Sequence, residues 1–266
     1  KPLLKIIKKN KAKYKLNIIV TSTHLSEEYG YTKNEIIEDG FKIYDKIETL
    51  ISSNTELGMI KSIGLNFIGL AESLNRLKPD LLICLGDRYE IFSGAYVASV
   101  LNIPIAHIHG GELTYGSVDD KFRHAITKAS SIHFPCTESY KKRIIQMGEK
   151  KDTVYNYGAL AVERVKNIKK FSLKKLNSII GLDLKNGCIL TTVHSETNSK
   201  LMTSKFIKPI ISALEKFKDL PIIITYANAD HGGSYINSLM ENFCEKNSSR
   251  SAIVKSLGYD LYSNIM

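Results

Sequence analysis

The sequence has 266 residues, of which 43% are hydrophobic, and 37 Lys and Arg residues against 27 Asp and Glu residues give a formal net charge of +10. This composition excludes a disordered chain, and the length is enough for two domains of ordinary size. Excess positive charge suits nucleic acid, a membrane surface or an anionic small substrate. The lysines are scattered on helix-like segments without interleaved aromatic residues that stack bases, so we expect no nucleic-acid partner.

The sequence also gives expectations about compartment. It contains no apolar stretch of the length needed to cross a bilayer, and no signal-peptide pattern opens it, so we expect no membrane association. The four cysteines lack Cys-x-x-Cys spacing and mostly lie in apolar runs, which disfavours a zinc knuckle or a disulfide framework. These features predict a reduced, cytoplasmic protein.

Short β-branched runs alternate with amphipathic stretches along almost the whole chain. This alternation is typical of βαβ units and predicts an α/β fold with parallel sheets. The predicted strands are Leu16 to Thr21, Asp80 to Leu85, Ile103 to His109, Ser131 to Cys136, Val154 to Tyr157, Cys188 to Val193, Pro221 to Tyr226 and Ala252 to Lys255. The predicted helices are Leu57 to Leu77, which should end before Pro79, Asp119 to Lys128, Glu138 to Met147, Lys200 to Phe217 and Ser234 to Lys246.

A lysine-rich, apolar-poor segment from about Lys166 to Lys175 separates two such α/β series. We therefore predict an N-terminal domain over residues 1–165, which carries most of the acid–base residues, and a partial nucleotide-binding domain over residues 166–266. Both ends read as incomplete, because the first helix lacks a preceding strand and the last residues stop within a pattern. Polar clusters at the strand ends of both domains predict a cleft for a large substrate with a charged part.

Gly86-Asp87-Arg88 follows a predicted strand, at the position where open α/β sheets bind ligands. Asp87 is either an acid–base group there or the N-terminal cap of the next helix. Arg88 accordingly either balances the charge of that acid or lies on the surface. The residues alone leave both interpretations open.

His107, His109 and Glu112 surround Gly110 and Gly111. The two glycines allow a tight turn and a close approach of backbone N–H groups to a ligand. The two histidines alternate along a strand and face opposite sides of the sheet, so only one of them faces the cleft. Although His and Glu are metal ligands, this alternation disfavours a metal site, and we predict none.

A predicted helix begins with Asp119 and Asp120. Arg123 lies four residues after Asp119 and on the same face of the helix, and His124 is related to Asp120 in the same way. Carboxylates at a helix N-terminus are stabilised by the helix dipole, so a purely structural explanation is available. Together with the acids of the two preceding strand ends, however, these carboxylates come from three successive strand ends. This arrangement favours one shared site.

In the second predicted domain, His194 follows a strand and is either a structural histidine or a group that faces the cleft. Asn228 and Asp230 precede Gly232-Gly233 and a helix, which suits the binding of phosphate or hydroxyl groups. The sequence contains neither a Gly-x-Gly-x-x-Gly nor a Walker-type motif. We therefore expect neither NAD nor ATP, and no other cofactor.

These motifs together resemble the hydrolysing UDP-N-acetylglucosamine 2-epimerases of bacterial sialic acid synthesis. The shared stretches are Gly-Asp-Arg at 86–88, His-Ile-His-Gly-Gly-Glu at 107–112, Asp119 to Lys128, His133-Phe134, Gln-Met-Gly-Glu at 146–149, the strand end with His194, and Asn228 to Asp230. The resemblance implies the glycosyltransferase-B architecture, two Rossmann-like domains around a nucleotide-sugar cleft, truncated here at both ends. It also implies a homodimer or homotetramer. One departure is His109, where much of the family has a Glu that takes part in proton transfer.

The resemblance further implies a reaction. UDP leaves C1 of UDP-N-acetylglucosamine while a base removes the C2 proton, and water then adds to the 2-acetamidoglucal to give N-acetylmannosamine. The catalytic candidates it implies are Asp87, Glu112, Asp119 and His194, and the substrate-binding candidates are Arg88, His109, Arg123, His124, Asn228 and Asp230.

Three alternatives to that reaction stay open. In the first, the same reaction takes place on a 2,4-diacetamido-trideoxyhexose nucleotide of legionaminic acid synthesis. In the second, the protein is a glycosyltransferase of the same architecture that passes the sugar to an acceptor. The third alternative is a protein that binds a nucleotide sugar without turnover.

Overall fold

The computed structural model describes residues 1–52, 55–166, 168–195, 203–228 and 232–266. Its strands are β1 (Ile19–Thr21), β2 (Asp45–Ile47), β3 (Leu82–Leu85), β4 (Ile105–Ile108), β5 (Ile132–Phe134), β6 (Ile189–Thr192), β7 (Ile222–Thr225) and β8 (Ser251–Val254). Its helices are α1 (Pro2–Lys9), α2 (Lys33–Glu38), α3 (Glu56–Leu77), α4 (Tyr89–Val100), α5 (Asp119–Ala129), α6 (Glu138–Gln146), α7 (Leu160–Lys166), α8 (Leu173–Ile180), α9 (Thr203–Leu214), α10 (Gly233–Lys246) and α11 (Gly258–Ile265). Within these ranges, every helix is too short or too polar to span a bilayer.

The strands form three sheets with the orders β1-β2, β3-β4-β5 and β6-β7-β8, and all of these pairs are parallel. Parallel neighbours end at the same edge of a sheet. In the central sheet, Leu85 is in register with Ile108, which is in register with Phe134. The segments that follow β3, β4 and β5 therefore emerge side by side, as the predicted site requires.

Local sequence explains why α3 lies where it does. The helix begins after Thr55, whose hydroxyl oxygen accepts a hydrogen bond from the Gly58 N–H at 3.0 Å. It ends at Leu77, as predicted, because Lys78 adopts the left-handed conformation with φ 44° and Pro79 cannot extend a helix. The ends of this helix thus follow from its capping residues.

The buried apolar residues form separate clusters on the two sides of the predicted domain boundary. One cluster includes Leu74, Ile105 and Ile126, and both strands of the two-stranded sheet pack against it. Two further clusters surround β7, whose first three residues are almost fully buried. Burying an Ile or Leu side chain stabilises a fold by about 1.5–3 kcal/mol, so each half has its own source of stability. The boundary near residue 165 stays a prediction.

One predicted strand differs from the structure, and one observed strand was missed. The strand predicted over 154–157 is wrong, because only Val154 forms a bridge, to His133, before the chain leaves the sheet. The sequence also missed β2, since two of its three residues are charged and give no apolar run. The helix predicted over 200–217 is observed as α9, and its first three predicted residues lie outside the described ranges.

Candidate active site

The turn after β3 places Asp87 at the edge of the central sheet. Gly86 has φ +82°, a conformation that a glycine adopts without strain, and its N–H donates to the carbonyl of Ile108 at 3.0 Å. The N-cap residue of α4 is Arg88, and it makes no side-chain capping bond. Asp87 is therefore not the cap of that helix, and the structural explanation left open above does not apply.

Arg123 of α5 draws two carboxylates together. Its side chain is only 6% exposed, and its guanidinium bonds to Asp87 and lies 3.4 Å from Asp120 Oδ1. Nη2 also donates to Thr114 Oγ1 at 2.9 Å. We call Asp87, Asp120 and Arg123 the carboxylate cluster. Because buried charges need partners, this geometry shows why a cation is required at position 123.

Two predicted pairings are corrected by this cluster. Arg123 was expected to pair with Asp119 four residues earlier, but it pairs with Asp120 and with Asp87, which lies 36 residues away. The cation on Asp87 was expected to be Arg88, whose Nε lies 3.6 Å from Glu90 Oε2 instead. Sequence spacing along one helix does not reveal a partner from a neighbouring strand end.

The start of α5 is tied to the loop before it. Asp119 Oδ2 accepts a hydrogen bond from the Ser117 hydroxyl at 3.0 Å, and Asp120 Oδ1 accepts one from the Thr114 N–H at 2.8 Å. His124 Nε2 lies 3.8 Å from Asp120 Oδ2, as the four-residue spacing predicts. Both carboxylates therefore hold the loop over 113–118 in place beside the carboxylate cluster.

A second group forms after β4 and β5. His109 Nδ1 donates to Glu112 Oε1 at 2.6 Å, and the Cys136 thiol donates to the same oxygen at 3.1 Å. We call these three residues the thiol triad. His109 has φ +68°, which is costly for a residue with a Cβ and occurs mostly where function or packing demands it.

Contacts within the thiol triad shift the pKa values of Glu112 and Cys136. Partial burial alone raises the pKa of Glu112, but the hydrogen bonds from His109 and Cys136 and the positive charges of His109 and Arg123 outweigh it, so the pKa is lowered. Burial and the hydrogen bond to Glu112 raise the pKa of the Cys136 thiol to about 11. Near pH 7, Glu112 is thus an ionised carboxylate, ready to accept a proton, and the thiol remains a donor.

His107 is a structural residue. It is fully buried, its Nε2 donates to the Gly86 carbonyl at 2.8 Å, and Nδ1 lies 3.1 Å from Thr127 Oγ1. Burial lowers the pKa of His107 to about 4, which the hydrogen bond to Gly86 only partly offsets. The prediction that only one histidine of this strand reaches the site agrees with this placement, since His109 lies beyond the end of the strand.

The two glycines of this loop serve packing inside the protein. A Cβ on Gly110 would lie 2.9 Å from His107 Nδ1 and from Thr127 Oγ1. A Cβ on Gly111 would lie 2.5 Å from the Tyr140 carbonyl oxygen, and φ is +78°. The glycines were expected to bring backbone N–H groups to a ligand, and the structure explains them by the close approach of α5 and α6.

The second half presents a different arrangement. Nδ1 of His194 accepts a hydrogen bond from the Asn228 N–H at 3.2 Å, so the segments that follow β6 and β7 are joined. α10 begins at Gly233, where a Cβ would lie 2.1 Å from the Asn228 carbonyl oxygen. Asp230, predicted to bind substrate, lies outside the described residues.

Comparison with known proteins identifies the family. The model of the UDP-N-acetylglucosamine 2-epimerase family matches residues 6–266. The chain belongs to this epimerase family. It is 40% identical over 251 residues to the GDP/UDP-N,N'-diacetylbacillosamine 2-epimerase (hydrolyzing) of Campylobacter jejuni, covering 94% of this chain and 65% of that protein. It is also 35% identical over 232 residues to the polysialic acid biosynthesis protein P7 of Escherichia coli, covering 87% of this chain and 59% of that protein.

The resemblance to the epimerase family drawn from the motifs is thereby confirmed. The chain spans between 59% and 65% of the length of these two curated relatives. A solved structure of the UDP-GlcNAc 2-epimerase from Neisseria meningitidis matches with a TM-score of 0.66 at 14% identity, over 94% of this chain and 75% of that one. This likeness confirms the predicted α/β, glycosyltransferase-B-like fold.

Sequence reasoning missed two residues that contact the predicted site residues, Cys136 and Thr114. Cys136 was set aside because it lies in an apolar run, although it follows β5 directly. The rule that strand ends carry chemistry, applied to this third strand, would have found it. Thr114 lies in a loop without periodicity, and no pattern in the sequence indicates its contact with Arg123.

Proposed function

We propose that the full-length protein is a hydrolysing 2-epimerase that acts on a UDP-linked 2-acetamido sugar. It releases UDP and a free sugar with inverted configuration at C2. The single observation that carries this proposal is the convergence of ionised groups at three strand ends, where the Arg123 charge contacts Asp87 and Asp120 and also lowers the pKa of Glu112. Membership of the epimerase family supports the reaction type.

In the elimination step, Glu112 accepts the C2 proton. The electron pair of the C2–H bond forms the C1–C2 double bond, and the C1–O bond breaks with its electrons passing to the diphosphate. Glu112 is ionised and can therefore accept a proton, and general base catalysis contributes about 10²–10⁴-fold in rate. Negative charge develops on the leaving diphosphate, so hydrogen-bond donors and cations directed at it stabilise the transition state.

In the hydration step, water adds at C1 and a proton returns to C2 on the opposite face. Inversion at C2 requires that this donor differ from the group that removed the first proton. We assign Asp87, which is paired with Arg123, to take a proton from the water that adds at C1 and to pass it to C2, and Asp119, whose Oδ2 accepts a hydrogen bond from the Ser117 hydroxyl, to orient that water. We assign His194 and Asn228 to the diphosphate and nucleotide.

The sugar is the finer part of the proposal. UDP-N-acetylglucosamine, which yields N-acetylmannosamine, is the first candidate, and a relative from Neisseria meningitidis named UDP-N-acetylglucosamine 2-epimerase is 31% identical over 234 residues. A diacetamido sugar nucleotide is the second candidate. It is favoured by the Campylobacter jejuni relative at 40% identity and by a Legionella pneumophila UDP-N,N'-diacetylbacillosamine 2-epimerase (hydrolyzing) at 35% identity.

Product analysis tests the proposal. Full-length protein is incubated without any acceptor, separately with UDP-N-acetylglucosamine and with UDP-N,N'-diacetylbacillosamine, and the products are identified by mass spectrometry and NMR. We expect UDP and a free C2-epimeric sugar from at least one of them. Consumption only when an acceptor is added would indicate a glycosyltransferase, and calorimetric binding without turnover of either compound would indicate a binding protein. Either result would contradict the proposal.

We further propose a homo-oligomer, the smallest being a dimer. Leu57, Ile60, Leu65 and Ile68 lie on one face of α3, and each is between 42% and 63% exposed. An apolar stripe of this kind on a long helix suits a self-complementary contact in a two-fold dimer. Light scattering of the full-length protein should give at least twice the chain mass, and a monomer at micromolar concentration would contradict this.

A further inference from the structure

The thiol triad combines three metal-ligand types in one place. His109 Nδ1, a carboxylate oxygen of Glu112 and Cys136 Sγ all lie within 4.8 Å of one another, and all three residues are partly buried. One imidazole nitrogen, one carboxylate oxygen and one sulfur form a donor set typical of zinc sites with an open fourth position.

The distances between these atoms suit a small cation after a minor adjustment. His109 Nδ1 and Cys136 Sγ lie 2.6 and 3.1 Å from Glu112 Oε1, because each now donates a hydrogen bond to it. In a tetrahedral zinc site with bonds of about 2.0–2.3 Å, ligand atoms lie roughly 3.3–3.8 Å apart. Side-chain rotation that opens each contact by less than about 1 Å would therefore admit a cation in place of the two protons.

The backbone holds the three ligands in this arrangement. His109 and Cys136 follow paired strands, and the His109 N–H donates to the Phe134 carbonyl at 3.1 Å. The left-handed conformation of His109 directs its chain into the loop that carries Glu112. Ligands on adjacent strand ends lose little conformational entropy on binding, which favours a preorganised site.

The surrounding charges also suit a cation. Two arginines lie near the site: Arg123 bonds to two carboxylates, Asp87 and Asp120, and Arg143 donates to the Gly111 carbonyl beside Glu112. The carboxylate cluster carries a net charge of −1 when all three members are ionised, Glu112 adds a second negative charge, and Arg143 offsets one of the two. A dication at the thiol triad would therefore meet a net negative field.

We propose that His109, Glu112 and Cys136 bind a thiophilic divalent cation of the Zn²⁺ type, and that this cation inhibits the enzyme by occupying the carboxylate that accepts the C2 proton. Binding releases the Cys136 thiol proton and the Nδ1 proton of His109, whose ring keeps a proton on Nε2, and leaves the fourth coordination position to water. The inhibitory part rests on the proposed function, whereas the binding part does not. His107, which was considered with His109 as a metal ligand, takes no part.

The experiment uses the full-length protein after removal of metal with a chelator. Zn²⁺ is titrated calorimetrically, and Co²⁺ is added separately to detect the sulfur-to-cobalt charge-transfer absorption. We expect one Zn²⁺ per chain and a thiolate band with Co²⁺. The Cys136→Ser variant should bind Zn²⁺ at least about tenfold more weakly and lose the band. Cys188→Ser, a partly buried cysteine of the other half, serves as the matched control and should behave as the parent protein.

Three results would overturn the site. They are an absence of Zn²⁺ binding below millimolar concentration, equal affinity in Cys136→Ser, and a cobalt band that survives in that variant. Circular dichroism of both variants shows whether they remain folded. If Cys136→Ser is unfolded, Glu112→Gln replaces it as the variant that lacks a ligand.

Turnover assays with and without Zn²⁺ test the inhibitory part. We expect Zn²⁺ at saturating concentration to abolish sugar release by the parent protein, and undiminished turnover of the Zn²⁺-bound protein would overturn inhibition. A protein that binds Zn²⁺ but turns over neither substrate would contradict the proposed function and leave the metal site intact.

Discussion

The strand ends of the two halves present different chemistry. After β3, β4 and β5, ionised groups are held by a nearly buried arginine and by the thiol triad. After β6 and β7, most of the described contacts are uncharged: the His194 ring accepts from the Asn228 backbone, and Thr192 Oγ1 lies 2.5 Å from Thr225 Oγ1. The exception is the Tyr226 hydroxyl, which donates to the Glu241 carboxylate. The first half thus concentrates charge at its strand ends, whereas the second half has mainly neutral hydrogen bonds there.

This difference assigns separate tasks to the two halves. Proton transfer requires groups whose ionisation is set in advance by neighbours, and in the first half Glu112 is a carboxylate of this kind. In the second half, the hydrogen bond to Glu241 and burial raise the pKa of Tyr226 to about 12, so that hydroxyl stays neutral near pH 7. Neutral donors and acceptors at strand ends suit binding and orientation, because they hold a ligand without changing its protonation. Variants in the two halves should therefore affect different kinetic quantities.

The largest expected effect is the loss of the base. Glu112→Gln keeps the shape of the side chain but removes the proton acceptor, so kcat should fall by about 10²–10⁴-fold. The matched change in the other half, His194→Gln, should mainly raise KM and reduce kcat by about tenfold or less. Steady-state kinetics with the preferred substrate measure both. Equal losses of kcat in the two variants would break the distinction between the halves.

The next effect concerns stability. Arg123→Met leaves Asp87 and Asp120 facing each other without the cation, and breaking a buried ion pair of this kind costs about 3–5 kcal/mol. Since the two carboxylates are 23% and 28% exposed, we expect a loss of about 2–3 kcal/mol in the free energy of unfolding. Urea titration at pH 7.5 measures it.

Lys121→Met, an exposed cation on the same helix, is the control and should change the free energy of unfolding by less than about 0.5 kcal/mol. If both variants lost the same amount, the carboxylate cluster would not be the structural centre of this half.

A pH effect should also distinguish the first half. The pKa of His107 is about 4 because of burial, whereas a histidine in the unfolded chain takes up a proton below about 6.5. The unfolded state thus binds the proton first, and the folded protein loses stability as the pH falls from about 6.5 to 4. This histidine contributes up to about 3 kcal/mol of that loss. Unfolding titrations at pH 7 and 4.5 should show that His107→Asn loses less free energy of unfolding between these pH values than the parent protein. Equal losses in the two proteins would refute the assignment of this pH effect to His107.

Sequence alone predicted much of the fold because parallel strands and amphipathic helices leave local patterns. Apolar runs located β3, β4 and β5, and Pro79 located the end of α3. The two-stranded sheet was partly missed, because β2 is short and charged and is recognised only by its partner. Patterns with a period identify elements, whereas a pairing between distant segments leaves no such signal.

The candidate site was predicted by residue type more successfully than by partner. Asp87 and Glu112 were placed correctly at strand ends, since the carboxyl edge of a parallel sheet follows from the order of strands. The residues that pair with them were not predicted. The contact of Arg123 with Asp87, for example, depends on how α5 crosses the sheet. Cys136 was missed for a similar reason: a cysteine after an apolar run looks buried until the neighbouring strand end is placed beside it.

Hydrogen exchange at C2 tests the central claim most directly. The full-length protein is incubated in heavy water with its sugar nucleotide, and deuterium at C2 of the released sugar is measured by proton NMR. We predict one deuterium at C2 with the parent protein and with His194→Gln, and neither release nor exchange with Glu112→Gln. Released sugar that retains its original C2 proton, or unchanged exchange in Glu112→Gln, would contradict proton transfer by the first half.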